Sequence, residues 1–518
     1  MRRLVTAVTG LLTLIGVGVV AGYLLVFSAH PDRAARLAPA DTAIYVNIYL
    51  QPSTGQKLNL FELIGRLPGF RDPASLEQKI HDVAQSLLGD LGLDYAADVR
   101  PWLGNQLAVA IAPPAEPGGP PAILLLASVR DLAVASEAAP RLATRDGAEF
   151  TPEAYRGAEA MIGETVSYAL LPDLLVVANS PAGLRAALDA ERDVSPSLAD
   201  GTDFAATMRD LPADHLASVY LDLRRVVSAA GDEPIGGFAT GALALVAEPS
   251  GLHLDGTIPF DAAAAGESAR RAFSAGDRPA TLSAWMSSET RAEAIAFGLR
   301  DRIDDLEQRL SDEGTSGGAS DALEQLRALA AIGLGINLDR DLLPLLDGEA
   351  AVALQSIDAS GPGGQLLLQP TDPAAAQAAL DRMRAALVER GSSVGRETVR
   401  GVAITTIEVP RLASLAYAVV DGVVVIGPAS DDVAASVEAH ADGRTLAASS
   451  RYAAAFELLG GRAGDELWVD IPGLLDAATE IVDPGSEFRD ILHQIGELAA
   501  AASAQAGRLE VHSVLTVR

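Results

Sequence analysis

Two stretches of the chain carry nearly the same alternation of apolar and polar positions. "LGLDYAADVRPWLGNQLAVAI" runs from Leu91 to Ile111, and "LGINLDRDLLPLLDGEAAVAL" runs from Leu334 to Leu354. Each reads as a turn followed by a strand. After each comes a Pro/Gly-containing loop and a second apolar run, "AILLLASV" or "QLLLQP". That is the pattern of a hairpin. Further landmarks recur in the same order. "YRGAEAMI" from Tyr155 pairs with "VRGVAITTI" from Val399, and "SYALLPDLLVVANS" from Ser167 with "AYAVVDGVVVIGPAS" from Ala416. "FAATMRDLPADHLASVYLDL" from Phe204 pairs with "YAAAFELLGGRAGDELWVDI" from Tyr452. Both halves close on a strand after Gly, "GLHLDGTI" and "GRLEVHSVLTV". Ordered landmarks of this kind indicate an internal duplication.

The pattern predicts two α+β units, 38–260 and 278–518, joined by a helix or linker over 261–277. Each unit opens on an alternating strand, at residues 41–50 and 280–287. Helices are expected after Asp72-Pro73, with Leu76, Ile80, Val83, Leu87 and Leu88 on one face, and over residues 290–310 and 321–332. Pro172-Asp173 and Asp421-Gly422 mark one turn in both units, and Ser180-Pro181 and Ser430-Asp431 begin the next helix. Strands joined by short turns pair antiparallel. The expected fold is two tandem homologous units, each a mainly antiparallel sheet with helices covering one face.

Ahead of the units, Leu4 to Phe27 is an uncharged apolar run preceded by Arg2 and Arg3. It exceeds the roughly 7–15 apolar residues of a cleaved signal and reaches the about 20 that span a bilayer. Residues 1–37 are therefore expected to hold a cytoplasmic tip, one transmembrane helix and a short linker. The arginines place the N-terminus inside and the body outside the cytoplasm. Gly16-Val17-Gly18-Val19-Val20-Ala21 fits a dinucleotide pattern, but it lies in the span with no strand before it.

Composition narrows the chemistry. The 518 residues contain no Cys, which excludes disulfides, thiolate metal sites and a lipid-modified Cys. A net charge of −30 opposes binding to nucleic acid. Gly314-Thr315-Ser316-Gly317-Gly318 fits a nucleophile-elbow pattern, yet sits in a Gly/Ser loop. The seven histidines show no metal-ligand spacing, and the acidic clusters do not follow a calcium loop. No cofactor or metal is expected. The duplication itself supplies the remaining candidates. Asp222 in "YLDL" and Asp470 in "WVDI" are matched acids in apolar strands, flanked by the matched aromatics Tyr220 and Trp468. These four are candidates for lining a groove, with a solvent face or the core as the alternative settings.

"DVRPWLGNQLAVAI", "DLLPLLDGEAAVAL", the N-terminal span and the opening "LAPADTAIYVNI" resemble the bacterial family called domain of unknown function 3352. The resemblance covers most of the chain after residue 37. It implies one membrane segment and a large exported body, and no activity. The expectation is a membrane-anchored extracytoplasmic protein acting as a non-catalytic binding or scaffold protein. Its expected partners are the bilayer, through residues 4–27, and an envelope protein or hydrophobic small molecule. An exported hydrolase with an active site in one repeat is the alternative.

Overall fold

The computed structural model describes residues 32–68, 85, 94–114, 119–144, 148–229, 237–304, 327–328, 331, 335–358, 361–409, 414–460, 464–478, 492–505 and 507–518. The apolar run 4–27, most of the helix expected after Asp72, the Gly/Ser loop at 314–318 and nearly all of 321–332 lie outside these residues. None of the described helices is long and apolar enough to cross a membrane. The described residues form two compact units that divide between Asp261 and Ala262.

In unit one the strands are β1 (Ile44–Tyr49), β2 (Leu103–Ala112), β3 (Ala122–Val129), β4 (Thr151–Tyr155), β5 (Ala158–Ile162), β6 (Ser167–Leu170), β7 (Leu174–Ala178), β8 (Ala217–Asp222), β9 (Thr240–Glu248) and β10 (Gly251–Pro259). Their order across the sheet is β4-β5-β6-β7-β3-β2-β1-β8-β9-β10, antiparallel throughout.

Unit two contains β11 (Ala292–Phe297), β12 (Glu349–Asp358), β13 (Gly361–Gln369), β14 (Ser393–Val399), β15 (Val402–Glu408), β16 (Ser414–Val420), β17 (Val423–Gly427), β18 (Asp465–Asp470), β19 (Ile495–Gln505) and β20 (Arg508–Val517). Their order is β14-β15-β16-β17-β13-β12-β11-β18-β19-β20, again antiparallel. The first strand of each unit thus lies between its second and its eighth.

Turn chemistry fixes several of these pairings. Arg156-Gly157, Arg400-Gly401 and Asp421-Gly422 each connect two strands through a pair of positive φ angles, at 52° and 78°, 51° and 83°, and 49° and 81°. Two left-handed residues twist a two-residue hairpin correctly, and Gly at the second position makes that conformation accessible.

Within the repeated stretches, Tyr95–Val99 and Leu338–Leu342 each form one wide helical turn before the second strand of their unit. In unit one Asp94 Oδ1 accepts from Ala97 N at 2.8 Å, while Asp98 Oδ2 accepts from Asp94 N at 3.0 Å. In unit two Asn337 Oδ1 accepts from Arg340 N at 2.8 Å, while Asp341 Oδ2 accepts from Asn337 N at 3.0 Å. Asp94 with Asp98, and Asn337 with Asp341, are therefore reciprocal caps that satisfy amides the turn would leave bare.

Three expectations are corrected. Residues 280–287 are not a strand. Leu282–Ala284 is a short 3₁₀ turn whose Leu282, with Trp285 and Met286, is buried in the core. The opening strand is β11, within the stretch expected to be helical. Its "AEAIAF" favours helix by composition, but pairing to β12 and β18 on both edges overrides that preference. Finally, helices pack on both sheet faces. Pro181–Glu191 covers Leu124, Leu126 and Val176, while Leu132–Thr144 covers Ala127, Tyr168 and Leu175 on the other face. Unit two does the same with Ser430–Asp442 and Pro373–Glu389. The continuous apolar run "LLVVA" carries that signal, because a strand buried on both faces loses its alternation.

Asp341 is 1% exposed and is met by Arg340 Nε at 2.9 Å and Arg382 Nε at 2.8 Å. The Arg340 hydrogen bond, aided by Arg382 and the Asn337 N–H, outweighs burial and brings the carboxyl down to about 2. A depressed folded-state value stabilises the fold above the unfolded carboxylate value, and the gain is lost as pH falls towards 2. Asp341→Asn is expected to lower the urea midpoint of unit two at pH 7. The gap to the parent should narrow on acidification from pH 5 to pH 2. A gap that does not change with pH would show that the charge of Asp341 contributes nothing.

Candidate functional site

The four matched residues lie on the eighth strand of each unit, next to the central strand. Tyr220 pairs with Tyr45 across β8 and β1, and Trp468 pairs with Glu293 across β18 and β11. Asp222 and Asp470 end their strands, and their amides donate at 2.7 Å to the carbonyls of Ala43 and Arg291. Both acids are buried, at 2% and 1% exposure.

Their carboxylates are engaged. Asp222 Oδ1 accepts from Arg225 N at 3.2 Å and from Arg224 Nε at 3.3 Å. Asp470 Oδ1 accepts from Gly473 N at 3.1 Å, and its Oδ2 from Arg451 Nη1 at 2.7 Å and Arg291 Nη1 at 3.1 Å. Each acid caps the helix that begins one residue later, Leu223–Ala229 or Ile471–Ala478. Burial pushes the Asp470 carboxyl up, but the Arg451 and Gly473 hydrogen bonds outweigh it and hold the carboxyl below the usual range. A carboxylate held this way orders the strand-to-helix corner and is a poor proton acceptor.

The aromatics form a layer under the helices Thr202–Arg209 and Ser450–Glu457. Phe204 stands edge-on to Tyr45 and Tyr220, with ring centroids 6.0 and 5.1 Å away. Burial pushes the Tyr220 phenol up to about 12. In unit two Tyr452 stands edge-on to Trp468 at 5.6 Å and packs on Phe456 at 4.8 Å.

The two layers differ in one respect that the sequence reading missed. The Tyr452 hydroxyl lies 2.5 Å from Glu293 Oε1 and 3.0 Å from Glu466 Oε2. Glu293 and Glu466 are 2% and 3% exposed. By strand register the corresponding positions of unit one hold Tyr45, Ser218 and Phe204, with no carboxylate among them. There the Tyr45 hydroxyl donates to Asp32 at 2.6 Å instead. The signal was present in "RAEAIAF" and "DELWVD". Each puts one acid on the face of the strand that carries the aromatic layer.

A third matched pair also does structural work. Gln106 Oε1 accepts from Arg33 N at 3.2 Å, and Glu349 Oε1 accepts from Thr281 N at 2.8 Å and Leu282 N at 2.7 Å. Each caps the 3₁₀ turn that precedes the first strand of its unit. Among the described residues, no group of three or more His, Cys, Asp or Glu is arranged to hold a metal ion.

The family described as Protein of unknown function (DUF3352) matches residues 5–514. The chain belongs to that family. The DUF3352 chain is also similar in structure to TP0453. In crystal form IV of that protein the identity is 10% and the TM-score 0.24, covering 44% of this chain and 80% of that one. In crystal form I the identity is 11% and the TM-score 0.24, covering 47% and 83%. No curated protein matches the DUF3352 chain.

Tyr452→Phe installs at this position the residue type of unit one. It leaves two buried carboxyl groups without their shared hydroxyl. The expected loss of stability is about 1–3 kcal/mol, read by urea unfolding of the full chain. A variant as stable as the parent would show that the hydroxyl contributes nothing to the buried pair.

Proposed function

We propose that this chain is a membrane-anchored extracytoplasmic protein whose duplicated body binds an apolar partner without catalysing a reaction. The anchor is the uncharged run Leu4–Phe27 behind Arg2 and Arg3. The identical strand order in the two units, added to the ordered sequence landmarks, supports an origin by duplication.

The binding reading rests on one observation. On the face away from its aromatic layer, beside the helix that covers part of it, each sheet leaves some apolar side chains exposed. In unit one Ile123 and Leu125 on β3 are each 39% exposed. In unit two Val352 on β12 and Leu467 on β18 are 55% and 39% exposed, and Ala294 pairs with both. Several exposed branched side chains on one sheet face favour a hydrophobic ligand or the apolar surface of an envelope protein. The matched acids Asp222 and Asp470, committed to arginines and helix amides, favour binding over catalysis. Glu293 and Glu466, the carboxylate pair that the strand register brings together, are buried beneath Tyr452, which disfavours the alternative of an exported hydrolase built on that pair.

Two outcomes are expected. The full chain expressed in a bacterial host should stay in the membrane pellet after alkaline extraction. Its body should be cut by protease added to spheroplasts. A body that is protected, or released into the soluble fraction, overturns the anchor. The detergent-purified chain should carry a reproducible apolar mass in native mass spectrometry, and Val352→Asp with Leu467→Asp should reduce it. A bare polypeptide mass from the parent overturns the small-molecule reading and directs the search to protein partners.

A further inference from the structure

The start of the described chain is fixed to one end of the unit-one sheet. Asp32 Oδ1 accepts from Ala35 N at 3.0 Å, Tyr45 Oη at 2.6 Å and Gln106 Nε2 at 2.6 Å. Arg33 then binds Asp173 through Nε at 2.9 Å, and Glu191 through Nη1 and Nη2 at 2.7 and 2.6 Å. Asp173 lies in the β6–β7 turn, and its carbonyl accepts from Val129 N at the end of β3. These bonds tie the entry of the chain to the start of β2, the end of β3 and the start of β7.

Only residues 28–31 separate Phe27 from Asp32. Five Cα–Cα steps reach at most roughly 18 Å, whatever their conformation. A body so tethered cannot turn an arbitrary face to the bilayer. We infer that this end of the unit-one sheet, around Arg33, Asp173 and Arg130, rests on the phospholipid headgroups of the membrane that holds residues 4–27. The inference rests on the anchor reading above and goes beyond it by assigning the orientation of unit one.

The side chains at this end suit such a surface. Arg130 is exposed and holds the carbonyls of Pro101 and Arg100 through Nε and Nη2, at 3.1 and 2.6 Å. Leu132, two residues on, is 44% exposed, and Val194, three residues beyond Glu191, is 53% exposed. Guanidinium groups bind phosphate, and aliphatic side chains enter the headgroup boundary. Asp131, Asp173 and Asp193 share this end, so net attraction is not what holds it there. The tether does, while the −30 charge of the whole chain keeps the remaining surface off an anionic layer.

The chain has no cysteine, so single labels can be placed cleanly. Leu132→Cys and Pro120→Cys mark opposite ends of β3, which at eight residues is roughly 25 Å long. The full-length variants, each carrying a fluorophore, are reconstituted into phosphatidylcholine vesicles containing a headgroup-nitroxide lipid. The label at 132 should be quenched several-fold more strongly than the label at 120. Equal quenching, or the reverse, in protein that floats with the vesicles overturns this inference and leaves the anchor standing. Protein that does not float overturns the anchor and the orientation together.

Discussion

Each unit depends on its first strand being held on both edges. β1 pairs with β2 on one side and with β8 on the other, and β11 pairs in the same way with β12 and β18. The eighth strand lies far along the chain from the first, so the two halves of each sheet join only after a long loop has closed. Such closure costs entropy before any contact repays it. The repayment is concentrated here. The aromatic layer, the capped 3₁₀ turn and the strand-end acids all lie on or beside this central pair. Tyr45 and Glu293 sit at the same register position, and each is tied by hydrogen bonds to its surroundings.

The parts of this fold that could be read from the chain are those fixed by local chemistry. The hairpin of β2 and β3, the Arg-Gly and Asp-Gly turns and the Ser180-Pro181 helix start all depend on residues within a few positions of one another. The parts that could not be read depend on distant partners. "AEAIAF" becomes a strand because two other strands bracket it. "LSAW" becomes a buried turn because Ser436 donates to the Trp285 carbonyl and His440 stacks on the indole at 3.6 Å. Asp222 and Asp470 were legible as a pair but not as helix caps, because the helices that they cap are short. Glu293 and Glu466 were illegible one at a time. Each looks like an ordinary strand acid until the register places both against one tyrosine.

The two units keep geometry while exchanging chemistry. Gln106 and Glu349 cap the same turn with an amide and a carboxylate. Asp94 and Asn337 cap another with the types reversed. In both cases the hydrogen bond is kept and the side-chain charge is not. What the two units share is the satisfaction of backbone amides, which any side chain of suitable reach can supply.

Among the described residues, the sheet order leaves β4 and β14 each with a single strand partner. Both are largely solvent-exposed along their length. A bare strand edge is a template on which a neighbouring molecule can add a strand of its own. Here β4 reads "TPEAY" and β14 reads "SVGRETV". Proline withholds an amide, glycine weakens the strand, and the glutamates and arginine must be stripped of water before another chain can dock. The outermost hairpin of each unit thus acts as a bumper. It lets neighbouring molecules crowd together without being knitted into fibres.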